Sequence, residues 1–160
     1  EPKPGDKIVY CFGTFDLLHP GLISFLQKAK ELGDYLIVGI YDDDIEKFGK
    51  MKPILTMEER VLNVLAIKYV DNVIMSIPYV VNKEIIDSIN PSIVAEGSNS
   101  SGETQQSIDP YKLPKELRIY QKIESDYPNY STKTVIKRIL DNYAAYAKRN
   151  TTRESLPFEK

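Results

Sequence analysis

The chain has 160 residues, an apolar share of 42 %, a charged share of 28 % and a net charge of -2. That size and balance fit one ordinary domain and exclude collagen-like, coiled-coil and wholly disordered chains. No apolar run nears the ~18 residues that span a bilayer, near-neutral charge gives no support to a nucleic-acid partner, and the single cysteine, Cys11, points to a reducing, cytoplasmic compartment.

Glu1-Pro2-Lys3-Pro4-Gly5 reads as a linker or the cut end of a longer chain, with no signal peptide. Residues 1–6 are therefore set apart from a domain over 7–150, and 151–160 read as a polar tail. Ile8 to Phe12 is a short apolar run closed by Gly13, a buried strand. From Pro20, Leu22, Ile23, Phe25, Leu26, Ala29 and Leu32 recur at helical spacing until Gly33. Tyr35 to Ile40 is a second buried strand, and Asp42-Asp43-Asp44 reads as its solvated end, so no residue is assigned as a metal ligand.

Thr56-Met57-Glu58-Glu59 is a capping box that opens a helix through Ala66. Val73 to Met75 is a third strand. Asn82 caps a helix through Ile89, and Pro91 leads into a fourth strand at Ile93 to Ala95. Ser98 to Pro114, polar and holding Gly102, Pro110 and Pro114, reads as a long mobile loop. Arg118 to Ile123 makes a fifth strand. Ser131 or Thr132 caps a last helix whose stripe runs through Val135, Ile136, Ile139, Leu140, Tyr143, Ala144 and Ala147, as core or as interface. Strands that are continuously apolar and alternate with helices predict an α/β fold: a doubly wound parallel sheet of about five strands, Rossmann-like, with ligands at the strand C-termini.

The turn after the first strand, Gly13-Thr14-Phe15-Asp16-Leu17-Leu18-His19-Pro20-Gly21-Leu22, carries the chemistry. It lacks the G-x-G-x-x-G and phosphate-loop spacings. It has instead a glycine turn followed by a histidine at a helix start, where free N–H groups hold anions and an imidazole can donate to a phosphate oxygen.

This turn resembles the nucleotide-binding turn of the cytidylyltransferase family, whose signature is His-x-Gly-His. Further matches follow in order: Thr56 to Arg60, Lys68-Tyr69-Val70-Asp71, Pro78-Tyr79-Val80-Val81, and Tyr130 to Thr134 where the family carries its Ser-Thr signature. The likeness is greatest to the second of the two tandem domains in the ethanolamine-phosphate branch, which shares Asp109-Pro110-Tyr111. The resemblance implies a nucleotidyltransferase fold and a reaction of CTP with phosphoethanolamine, giving CDP-ethanolamine and pyrophosphate on the way to phospholipid. It implies Mg²⁺ with the triphosphate and a second cytidylyltransferase domain or a homodimer partner. It makes His19 the catalytic imidazole, and Gly13, Thr14, Phe15, Asp16, Gly21, Arg60, Ser131 and Thr132 nucleotide-binding residues.

The chain departs from the family pattern in one direction. Leu22 stands where the second signature histidine belongs. Phe48 precedes Gly49 where the family has a lysine, which leaves Lys50 as stand-in charge partner. Lys68 replaces an arginine, Glu96 replaces a histidine, and Asp126-Tyr127-Pro128-Asn129 replaces an Arg-Thr-Glu-Gly. Each change removes a donor or positive charge from a phosphate site. Losing one such donor costs on the order of 3–4 kcal/mol of transition-state stabilisation. The expectation is a degenerate domain with weak or no turnover of its own. The alternatives are a non-catalytic module that pairs with and supports a catalytic domain, and a fully active transferase using Lys50.

Overall fold

The computed structural model describes residues 1–98 and 108–154; of the side chains, those of 152–154 are left aside. Most of the expected loop from Ser98 to Pro114, and the end of the tail, lie outside the described residues. The elements follow in chain order: β1 (Ile8–Gly13), α1 (Pro20–Glu31), β2 (Tyr35–Tyr41), a 3₁₀ turn (Ile45–Phe48), α2 (Met57–Leu65), β3 (Asn72–Ile77), α3 (Lys83–Ile89), β4 (Ile93–Gly97), α4 (Lys112–Glu116), β5 (Tyr120–Ile123), α5 (Thr132–Asp141) and α6 (Tyr143–Glu154).

Among the described residues the strands form one parallel sheet in the order β3-β2-β1-β4-β5. Parallel pairing needs crossovers, and the helices supply them. Both faces are covered, so β1 alternates between two cores. Val9 and Cys11 pack with Phe25, Leu26 and Ala29 of α1 and Val61 and Val64 of α2. Tyr10 and Phe12 pack on the other face with Ile89 of α3, Tyr79, Val81 and Tyr111. This two-sided burial explains the unbroken apolar runs. Each fully buried leucine such as Leu26 or Leu36 contributes about 2 kcal/mol.

The helix starts follow local chemistry. Thr56 and Glu59 exchange side-chain and backbone bonds across the first turn of α2. The Asn82 side chain accepts the Ile85 N–H, and Asn90 ends α3 in the left-handed region at φ 48°. Gly33 is required by crowding, since a Cβ there would lie 2.4 Å from the Lys7 carbonyl oxygen.

Two expectations need correction. The last helix is two helices: Asn142 leaves helical geometry at φ -114°, and its side-chain amide donates to the Arg138 carbonyl, which satisfies a helix-end acceptor. The second of these, α6, runs from Tyr143 to Glu154. Pro114 lies in a short helix instead of a loop, because Tyr111 stacks on Phe12 at 4.6 Å and anchors that segment on the sheet. Of the two readings of the apolar stripe shared by α5 and α6, core or interface, the first is excluded: no residue of α5 is buried, and Ile139, Leu140, Tyr143 and Tyr146 are exposed.

Candidate functional site

Strand order reverses between β1 and β4, and at that switch point a cleft of about 630 Å³ opens at the strand C-termini. Its walls come from the turn after β1, the end of β4, the irregular segment 50–53, the residues around Tyr111, and the start of α5. The volume lies within the usual range of small-molecule sites, ~300–1,000 Å³.

The turn after β1 is tightly wound. Phe15 and Leu17 have positive φ, at 51° and 47°, a conformation that costs a side-chain-bearing residue about 1 kcal/mol or more and is held by its surroundings. Phe15 is buried in the core below the turn. The turn ends at His19, the N-cap of α1, whose Nδ1 accepts the Leu22 N–H at 3.4 Å. A neutral ring accepting at Nδ1 carries its proton on Nε2. Burial holds the imidazole below its ordinary pKa, so the ring is neutral at pH 7.

A second helix starts beside it. Ser131 caps α5 through the Thr134 N–H, in a capping box that Thr134 completes, and the Thr132 hydroxyl donates to the Asp16 carbonyl oxygen at 3.0 Å. A Cβ on Gly21 would lie 2.9 Å from the Tyr130 carbonyl oxygen. Glycine therefore lets the N-termini of α1 and α5 share one wall. Each carries partial positive charge and unpaired N–H groups.

Gly13, Thr14, Phe15, Asp16, His19, Gly21, Lys50, Ser131 and Thr132, expected from sequence to form one site, all line this cleft, and so does Leu22. Lys52, Lys115 and Lys133 add positive charge. Partial burial lowers the Lys50 pKa, against the opposing pull of Glu96. Glu96 brings negative charge to the same cleft and accepts the Tyr120 hydroxyl at 2.6 Å.

Arg60 is the correction. It was expected to contact phosphate, but its side chain is 0 % exposed and does not line the cleft. The guanidinium donates to the carbonyls of Leu55, Thr14 and Tyr41 and to the Asp43 carboxylate. A buried guanidinium must be paired in this way, and α2 points it inward. The Asp16 carboxylate is likewise turned onto backbone, accepting Ile54 and Leu55 N–H groups at 2.7 and 3.0 Å. Asp43 is therefore not merely a solvated strand end.

Sequence reasoning missed the aromatic wall. Tyr41, Tyr79, Phe12 and Tyr111 form a contacting set, and Phe48 stacks on Tyr79 at 4.6 Å. These four aromatic residues come from four separate segments, and no spacing in the chain announces their meeting. Lys133, by contrast, follows the Ser-Thr pair directly, and its place in the first turn of α5 was a legible signal.

Among the described residues no three His, Cys, Asp or Glu side chains converge to hold a metal ion. With the Asp16 carboxylate occupied by backbone, the described donor set offers no protein cage for Mg²⁺.

A parallel sheet with helices on both faces and a cleft at its switch point defines a Rossmann-like nucleotidyltransferase fold. The chain belongs to the cytidylyltransferase-like family, whose model matches residues 10–138. It is 43 % identical over 158 residues to an ethanolamine-phosphate cytidylyltransferase of Dictyostelium discoideum, covering 97 % of this chain and 44 % of that protein. It therefore spans less than half the length of that relative. It is 40 % identical over 143 residues to an FAD synthase of Archaeoglobus profundus, covering 83 % of this chain and 86 % of that one. A crystal structure of a lipopolysaccharide core biosynthesis protein from Thermoplasma volcanium shares the fold, with TM-score 0.59, 23 % identity, and coverage of 76 % of this chain and 98 % of that one.

Proposed function

We propose that this chain is a cytidylyltransferase domain that binds CTP or CDP-ethanolamine, and that its own turnover is weak or absent. The observation that carries this reading is the meeting of His19, Gly21 and Ser131 at one cleft with Leu22 beside them. The likeness to the Dictyostelium enzyme supplies the substrate class.

In the complete reaction a phosphoethanolamine oxygen attacks the α-phosphorus of CTP, a new P–O bond forms, and pyrophosphate leaves with the electron pair of the broken bond. A phosphate dianion is already nucleophilic, so catalysis is positioning and charge stabilisation. In this chain the N-termini of α1 and α5 hold the triphosphate, and His19 donates from Nε2. The cleft lysines offset phosphate charge. Leu22 offers no donor at the second signature position, and Glu96 opposes negative charge. Binding therefore outlasts catalysis.

Isothermal titration with CTP, beside an assay for CDP-ethanolamine, tests this. Binding without appreciable product is the expected result. Product formation at ordinary rates would overturn the degenerate part. ATP is run in parallel, because the FAD synthase likeness favours an adenylyl nucleotide as second reading; tighter ATP binding would select it.

The exposed stripe of Ile139, Leu140, Tyr143 and Tyr146 supports pairing with a second cytidylyltransferase domain or a homodimer partner. The alternative, a module that only supports such a partner, holds if neither nucleotide nor CDP-ethanolamine raises the melting temperature.

A further inference from the structure

The wall over 50–55 belongs to no helix or strand, yet it carries Lys50 and Lys52 into the cleft. Such a segment has no ladder to hold it, so its position depends on the bonds that reach it from elsewhere. Two residues supply them. The Asp16 carboxylate accepts the consecutive N–H groups of Ile54 and Leu55. Arg60 takes the Leu55 carbonyl through Nε at 3.2 Å. The same guanidinium reaches the Thr14 carbonyl at 2.6 Å, the Tyr41 carbonyl at 2.8 Å and Asp43 Oδ1 at 2.7 Å. One planar group thus ties the turn after β1, the end of β2 and the cleft wall to α2, and the capping box at Thr56 fixes its starting point on that helix.

We propose that Arg60 and Asp16 are positioning residues, a latch that sets the 50–55 wall and with it the reach of Lys50 into the cleft. Burying a guanidinium is costly, and an apolar side chain of similar volume would fill the same space. What an apolar residue cannot do is donate to three carbonyls and a carboxylate at once, as arginine's fork of donors does here. Asp16 completes the latch from the opposite side, so the wall is gripped by its N–H groups and its carbonyl together. The consequence for nucleotide affinity rests on the reading proposed above; the placement of the wall does not.

The test uses the whole chain with Asp16→Asn, Asp43→Asn and Arg60→Lys. Asp43 is half exposed, so its variant keeps the test open if Arg60→Lys fails to fold. Two readouts need no nucleotide: amide exchange at Ile54 and Leu55, and the rate at which Lys50 is acylated by an amine-reactive ester, followed by mass spectrometry. We expect exchange at those two amides to rise about tenfold or more in Asp16→Asn, and Lys50 acylation to rise several-fold in all variants, as one or two hydrogen bonds are lost. Exchange in the core strands should stay unchanged, which a general loss of stability would not allow. Unchanged acylation and exchange in folded variants would overturn the latch, and so would a uniform rise across the sheet. CTP titration is the third readout, and weakening by about tenfold is expected. A loosened wall with unchanged CTP affinity would overturn its role in binding. Wild-type chain that binds no CTP would remove the nucleotide reading while the first two readouts still decide the latch.

Discussion

Nδ1 of His19 accepts the backbone N–H of Leu22 at 3.4 Å, so the retained signature position caps the helix that carries the altered one. One imidazole therefore has two jobs. Through Nδ1 it closes the first turn of α1, and through Nε2 it can serve the cleft. The leucine beside it lines the same cleft and can do neither; it only packs against the core.

Restoring a donor at that position should recover function. Leu22→His is expected to raise the rate of CDP-ethanolamine formation by about a hundredfold, the lower end of what one such donor contributes. A coupled pyrophosphate-release assay on both proteins measures it. An unchanged rate would overturn the degenerate reading.

His19 should make stability depend on acid. Burial lowers its folded pKa below the ordinary 6.5, so between those two values the unfolded chain binds a proton that the folded chain does not. Stability then rises with pH in that window; it is complete above about pH 6.5 and declines as pH falls toward the folded value. Melting curves from pH 7.5 to 5 should show this fall. His19→Asn keeps a capping side chain without a titrating ring, and its curve should be flatter.

Gly21→Ala should harm both fold and site. The added Cβ would sit 2.9 Å from the Tyr130 carbonyl oxygen and 3.1 Å from Nδ1 of His19. The neighbour is backbone, so α1 and α5 must part. A loss of about 1–3 kcal/mol in denaturant unfolding is expected, together with weaker CTP binding. Ala at an exposed helix position such as Glu31 serves as control.

Tyr10 offers a stabilising change. Among the described residues its buried hydroxyl has no hydrogen-bond partner, and burial pushes its pKa well above the ordinary value. Gly39 leaves the space it occupies, since a Cβ there would lie 2.4 Å from the oxygen. Tyr10→Phe removes an unpaired polar group and keeps the ring against Phe12. Urea unfolding should show a gain of up to about 1–2 kcal/mol.

Much of the fold was legible because it rests on local rules. The capping box at Thr56, the Asn82 cap and the apolar runs of β1 and β2 each follow from neighbours within a few residues of one another. The switch point is legible at one remove, since a buried parallel sheet with helices on both faces must reverse its strand order somewhere. Arg60 was misread for the complementary reason. Its motif gives its identity but not its direction, and α2 turns it toward carbonyls that lie 5 to 46 residues away in the chain.

By itself, then, the sequence determined the elements, the parallel α/β class, the histidine turn and the missing donor at Leu22, because hydrophobic period, caps and residue identity are all written locally. Only the tertiary structure decided which charges face the cleft. It turned Arg60 and the Asp16 carboxylate onto backbone, brought Lys50 to the wall, gathered Phe12 and three tyrosines from four segments, and left the α5 and α6 stripe in solvent. Those outcomes depend on how far a side chain reaches across the folded sheet and on which buried polar groups need partners, and neither can be read from spacing along the chain.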